Sequence, residues 1–129
     1  MRYFRRKLDD KNRLTIPAEL HAEFKTGKII ITKGFQDYLH LYSEKVWEAQ
    51  FQAATKGRGG DAMPILFDET LADQADALLE GMSETAMDKK QGRITIDSEL
   101  LQYAGFDKNR EVVATKLVGD YWRLKTPRN

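Results

Sequence analysis

Residues 13–20 read RLTIPAEL and residues 93–100 read RITIDSEL, one eight-residue pattern met twice in the same chain. Five positions are identical (Arg13/Arg93, Thr15/Thr95, Ile16/Ile96, Glu19/Glu99, Leu20/Leu100), and Leu14/Ile94 is a conservative pair. A second block follows in the same order. ITKGFQDYLHLY at 31–42 faces ATKLVGDYWRLK at 114–125, matching at Thr32/Thr115, Lys33/Lys116, Asp37/Asp120, Tyr38/Tyr121 and Leu41/Leu124. The offset grows from 80 to 83 residues between the blocks, so the second copy carries its extra residues in the connection after its helix, where loops absorb insertions. Two blocks in one order mean a duplicated unit. Within 129 residues, two such units are expected to share one core rather than build one each.

Each unit reads as strand, turn, strand, short helix, hairpin. Tyr3, Phe4 and Leu8, interleaved with Arg and Lys, suggest a basic edge strand, and the polar run DDKN at 9–12 breaks it as a turn. Asn12 stands where the second copy has Gly92. Both residue types tolerate a left-handed backbone, which predicts a tight turn aiming the following arginine outward. Leu14-Thr15-Ile16 alternates as a brief strand, and Pro17 suits the first helical position, where its missing donor does no harm. Leu20 and Phe24 fall one turn apart on a helix expected to end near Gly27. The β-branched Ile29-Ile30-Ile31 predicts a strand over 28–33, returning through a turn at 34–37 as a strand over 38–42. In the second unit, Asp97 or Ser98 is expected to cap the helix, and 112–117 with 121–125 to close the hairpin.

Between the units, Ser43 is a plausible N-cap for a helix over 44–56 carrying Trp47, Phe51 and Ala54 at helical spacing. A loose linker, GRGGDAMP at 57–64, precedes a second helix from near Asp68 whose stripe is Leu71, Ala75, Leu78, Leu79 and Met82. The expectation is therefore one α+β domain over 1–129. It divides into a first unit over 1–43, a helical insert over 44–82 and a second unit over 83–129.

The absence of cysteine excludes disulfides, thiol catalysis and cysteine metal sites. No apolar run is long enough to span a bilayer, and MRYFRRKLDDK turns charged before a signal-peptide core could form, so a soluble, cytoplasmic protein is expected. His21 and His40 are the only histidines and neither has a ligand-spaced companion, so no metal or other cofactor is expected. Gly57 to Ala62 formally fits a dinucleotide fingerprint, but it follows a helix where that fingerprint needs a strand. No catalytic chemistry and no small-molecule substrate are expected. The net charge of +1 conceals a polar distribution: +4 over residues 1–13, −8 over 61–88 and +4 over 89–129. If the basic segments share one face, the field there favours a polyanion.

The blocks LDDKNRLTIP and MDKKQGRITI, the hairpin TKGFQDYLHLY, the WE pair at 47–48 and YAGF at 103–106 together give the chain a resemblance to the MraZ transcriptional regulators of bacteria. That family is built from two AbrB-like swapped-hairpin repeats, and the resemblance runs over essentially the whole chain. It implies a pseudo-twofold β-barrel of interlocked repeats assembled into a ring-shaped homo-oligomer in the cytoplasm and nucleoid. It also implies that turns carrying D-x-x-x-R bind double-stranded promoter DNA at short G-rich repeats upstream of the division and cell-wall gene cluster. On that transfer Asp9 and Arg13 form the first motif, and Asp88 and Arg93 the second. The guanidinium forks of Arg13 and Arg93 match O6 and N7 of guanine. Lys11, Lys89, Lys90, Arg5, Arg6 and Lys7 serve as phosphate contacts, while Asp9 and Asp88 orient the motifs. Two departures stand out. The second motif is one residue longer, so either its loop bulges or Asp88 loses its partnership with Arg93, and the second turn is expected to be the weaker or a differently aimed reader. Asp97 also replaces the family's proline. A rival reading is an antitoxin-like or adaptor module of the same fold that docks another protein through the acidic insert helix.

Overall fold

The computed structural model describes residues 1–55 and 81–127. Among these, eight strands and three helical segments follow in order: β1 Tyr3–Lys7, β2 Arg13–Thr15, a 3₁₀ helix Ala18–Phe24, β3 Lys28–Lys33, β4 Leu39–Ser43, α1 Glu44–Thr55, β5 Met82–Ala86, β6 Arg93–Thr95, α2 Ser98–Ala104, β7 Glu111–Lys116 and β8 Trp122–Lys125. The fold is α+β, and every strand pairing is antiparallel. No helix among the described residues is long and apolar enough to cross a membrane.

Six strands form one sheet in the order β1-β7-β8-β4-β3-β5, and β2 with β6 forms a separate ribbon. Exchanging the two units turns β1 into β5, β7 into β3 and β8 into β4, and the order then reads the same from its other end. Each unit's first strand lies on the other unit's hairpin. β1 pairs with β7 from Tyr3↔Thr115 to Lys7↔Glu111, and β5 pairs with β3 from Met82↔Thr32 to Ala86↔Lys28. Side chains repeat this exchange. Lys33 of the first hairpin reaches Glu99 of α2 at 3.0 Å, and its counterpart Lys116 reaches Glu23 of the 3₁₀ helix at 2.5 Å. Neither unit could bury its own apolar face alone.

The core lies between the sheet and the β2–β6 ribbon with its flanking helices. Leu14, Ile16, Ile94 and Ile96 are at most 1 % exposed, and Trp122 packs on Phe4 with ring centroids 5.2 Å apart. Each such aliphatic side chain contributes about 1.5–3 kcal/mol by leaving water. A second cluster sits on the opposite face of the sheet, where Ile30, Tyr42 and Trp47 meet beneath α1. This is why β3 buries Ile29, Ile30 and Ile31 in succession instead of alternating: Ile29 and Ile31 face the main core and Ile30 faces α1. The Ser43 hydroxyl accepts from the Val46 amide at 3.2 Å, the cap anticipated for α1. His40, on β4, packs tilted against Tyr38 and edge-on to Tyr42 and Tyr121 in this outer layer, where burial and then Arg123 lower its pKa.

Two expectations need correction. Pro17 precedes the helix instead of opening it, with φ −54° and an extended ψ of 143°, and it offers no side-chain acceptor to the first turn. That helix is 3₁₀, tightened by bonds such as Leu20 N–H to Pro17 C=O at 2.9 Å. In the second unit, the Asp97 carboxylate caps the Glu99 amide at 3.1 Å and Gly105 closes the other end in a left-handed conformation, so α2 is a true α-helix. Met82, read above as the end of the insert's apolar stripe, instead opens β5 opposite Thr32 and packs against the outer cluster. The linker over 57–64, the helix from Asp68 and its Leu71, Ala75, Leu78 and Leu79 lie outside the described residues, as does the Ala54 side chain.

Candidate nucleic-acid interface

The two Asp/Arg turns are built alike from backbone chemistry. In the first, the Asp9 amide donates to the Arg13 carbonyl (3.1 Å) and the Asn12 amide to the Asp9 carbonyl (3.1 Å). The Asp9 carboxylate fills the turn, its Oδ1 accepting from the amides of Lys11 (3.0 Å) and Arg13 (2.8 Å) and its Oδ2 from Arg13 Nε (2.6 Å). Asn12 supplies the left-handed step at φ 62°.

The second turn does the same with one more residue. Asp88 N–H donates to the Arg93 carbonyl and Gly92 N–H to the Asp88 carbonyl, both at 3.0 Å. Asp88 Oδ1 accepts from the amides of Lys90 (3.1 Å) and Gln91 (2.7 Å), and Oδ2 from both the amide (3.1 Å) and Nε (3.0 Å) of Arg93. The extra residue is thus absorbed by a further amide on the carboxylate. Of the two alternatives left open by the longer motif, the lost partnership is excluded. The Gln91 amide and the Arg93 side chain hold the Asp88 carboxyl well below the usual carboxylate range. Desolvation pushes Asp9 upward, but the backbone and guanidinium of Arg13, with the Lys11 amide, outweigh it and leave Asp9 lowered too.

Each carboxylate holds the guanidinium of its arginine through Nε alone. Among the described residues, neither arginine's terminal nitrogens make a hydrogen bond to protein. In the ribbon, Leu14 stands opposite Ile94, Arg13 opposite Thr95 and Thr15 opposite Arg93. Leu14 and Ile94 point into the core, so strand alternation places Arg13 and Arg93 together on the outer face, at diagonal corners. The ribbon continues into the turns through Ile16 N–H to Gly92 C=O (2.8 Å) and Ile96 N–H to Asn12 C=O (3.0 Å).

Lys11, Lys89 and Lys90 are exposed on these turns beside the two arginines. Arg5, Arg6 and Lys7 lie apart from them on β1. Arg5 is already engaged, its Nε and Nη2 forking onto the Glu111 carboxylate of β7, and Arg6 Nη1 turns back to the Arg5 carbonyl at 2.9 Å. Two residues outside the sequence-based set touch the turns. His21 Nε2 lies 2.8 Å from the Ile16 carbonyl, with its ring against Gly92. Arg110 Nη2 donates to the Asp9 carbonyl (2.6 Å) and to Asn12 Oδ1 (2.8 Å). Extending the second repeat block back by a few residues sets Arg110 against Gly27, a mismatch that would have flagged it.

Residues 4–58 match the family model described as "MraZ protein, putative antitoxin-like". The transcriptional regulator MraZ of Kocuria rhizophila is 30% identical over 116 residues, covering 90% of this chain and 75% of that protein. Its counterpart in Corynebacterium kroppenstedtii is 30% identical over 123 residues, 95% of this chain and 80% of that protein, and the one in Micrococcus luteus is 28% identical over 116 residues. With relatives 30% identical that it covers over 75% and 80% of their length, the chain belongs to the MraZ family.

Proposed function

We propose that this chain is a sequence-specific, DNA-binding transcriptional regulator that reads base edges with Arg13 and Arg93 and performs no catalysis. One observation carries the reading: both guanidiniums stand on the outer face of a two-stranded ribbon, held by an aspartate through Nε with their terminal nitrogens uncommitted among the described residues. A ribbon of this width enters the major groove, and a fork of terminal N–H groups matches O6 and N7 of guanine. Asp9 and Asp88 fix the forks before DNA arrives, so little freedom is lost on binding. Lys11, Lys89 and Lys90 contact phosphates beside the groove, while Arg6 and Lys7 reach the backbone further along. The pairing of Arg5 with Glu111 makes it the weakest contributor of the set.

The relatives' name as transcriptional regulators supports this function. On the same reading, residues 1–43 and 83–129 are two AbrB-like swapped-hairpin repeats around a helical insert, closed into a pseudo-twofold barrel. The exchanged first strands and the end-to-end symmetry of the sheet order support that assignment. Copies assemble into a ring in the cytoplasm, associated with the nucleoid. Several modest turns then engage tandem G-rich repeats upstream of the division and cell-wall genes at high effective concentration.

The test is a salt-titrated binding assay on the DNA upstream of the chain's own gene, against a scrambled control. Wild type is expected to prefer the native sequence and to weaken with salt. Arg13→Ala is expected to lose roughly 5- to 150-fold in specific binding, the equivalent of one good guanine contact, and to lose more than Arg93→Ala. Absence of sequence preference at any salt concentration overturns the reading.

A further inference from the structure

We infer that Arg110 is a positioning residue that clamps the first reading turn, and that among the described residues the second turn has no such clamp. The assignment rests on the reading of Arg13 as a DNA contact.

The two units meet in matched backbone bonds: Leu8 N–H to Arg110 C=O and Met87 N–H to Gly27 C=O, both at 2.7 Å. Leu8 and Met87 each precede their motif aspartate, so Arg110 and Gly27 hold equivalent places, each from the unit opposite the turn it serves. Their side chains differ completely. The Arg110 guanidinium is steadied by Nη1 on the Phe106 carbonyl (3.4 Å), while Nη2 bridges the Asp9 carbonyl (2.6 Å) and Asn12 Oδ1 (2.8 Å). Those two acceptors begin and end the loop between Asp9 and Asn12. One cation therefore spans the loop and holds Asn12, a residue without glycine's freedom, at φ 62°. At the second turn Gly27 brings no side chain, and a cleft of about 690 Å³ opens among His21, Lys25, Gly27, Met87, Asp88 and Lys89. Asn12 has no counterpart acceptor there either, because Gly92 replaces it.

Arg110 acts through the turn and not on DNA, since its terminal nitrogens are occupied by protein acceptors. Arg13 is thereby aimed by two partners, Asp9 at its own side chain and Arg110 at the loop behind it. Among the described residues Arg93 has Asp88 alone, with a longer loop. The first turn is the pre-organised reader and the second is the adaptable one, so the two need not tolerate the same bases at their half of the site.

The experiment uses the full chain carrying Arg110→Ala or the charge-preserving Arg110→Lys, with two readouts. Amide hydrogen exchange without DNA is expected to rise about tenfold at Lys11, Asn12 and Arg13, the equivalent of one lost hydrogen bond, and to stay unchanged at Gln91, Gly92 and Arg93. Lysine lacks the fork and is expected to restore only part of the protection. Binding to upstream DNA is expected to fall about tenfold in Arg110→Ala. It should fall no further when Arg110→Ala is added to Arg13→Ala, yet fall additively on Arg93→Ala. Equal loosening of both turns, or an additive loss on Arg13→Ala, overturns the clamp and makes Arg110 a general tie between the units. Wild type without sequence preference refutes the DNA reading instead, and the exchange pattern then decides alone whether Arg110 holds the turn.

Discussion

Gly92→Ala tests whether the second turn is shaped by backbone conformation, by a neighbour, or by both. Gly92 has φ 69°, and placing an L side chain in the left-handed region costs roughly 1–2 kcal/mol. A Cβ there would also overlap Nε2 and Cε1 of His21 and lie 3.2 Å from its Cδ2. The ring must swing away, losing its bond to the Ile16 carbonyl at 2.8 Å, worth about 1 kcal/mol. Alanine's smaller unfolded-state entropy returns about 0.4–1 kcal/mol. The net is on the order of 2 kcal/mol, a fall of roughly 6–10 °C in Tm for a chain of this length. Denaturant melts of Gly92→Ala, His21→Ala and the double variant separate the parts. Once His21 is gone, only the backbone share of about 1 kcal/mol should remain. Gly92→Asn is the sharper control. Asparagine tolerates the left-handed backbone, as Asn12 does, but it carries the same Cβ. A Gly92→Asn protein as stable as wild type, or a Gly92→Ala penalty unchanged by removing His21, refutes the argument.

Ile94→Ala removes a side chain 1 % exposed at the centre of the ribbon, and equilibrium unfolding should show a loss of about 2–5 kcal/mol. Asp88→Asn should destabilise the protein at neutral pH, where the lowered native pKa makes the carboxylate stabilising. As pH falls below the ordinary aspartate value of about 3.9, the unfolded chain takes up the proton first and the gap between variant and wild type should narrow, which pH-dependent melts will read. Lys11→Ala and Lys89→Ala should each weaken binding to native and scrambled DNA alike, lowering the slope of log K against log salt by about 1 while leaving the preference intact.

The repeat made most of the backbone legible. Matching Asn12 to Gly92 located the left-handed residue of each Asp/Arg turn, at φ 62° and 69°, because a turn leaves few residue types able to occupy that region. The triple isoleucine gave β3 to the residue, and the α2 cap fell to Asp97, one of the two candidates Asp97 and Ser98. What stayed hidden was long-range. Nothing local says that Arg110 reaches the first turn from 98 and 101 positions away, or that His21 lies against Gly92. Met82 joined the helical stripe by spacing, but its partner Thr32 lies in the other unit, and the β3 edge wins it for a strand. Periodicity also cannot tell a 3₁₀ turn from an α-helix over seven residues when Pro17 supplies the fixed φ but no capping acceptor.

If the turns read DNA as proposed, the same exchange that hides these contacts makes the two of them one rigid reader. Ile16 donates to Gly92 and Ile96 to Asn12, so the left-handed residue of each turn is bonded to the strand end of the opposite unit. Between those bonds lie Leu14 and Ile94, buried and facing each other. The separation of Arg13 and Arg93 is therefore set by the packed ribbon, and the carboxylates of Asp9 and Asp88 set only their directions. A loop residue can be added, as in the second motif, without moving one arginine relative to the other. On the proposed reading, core packing fixes the spacing of the bases that are read, and turn chemistry is left free to vary which bases they are.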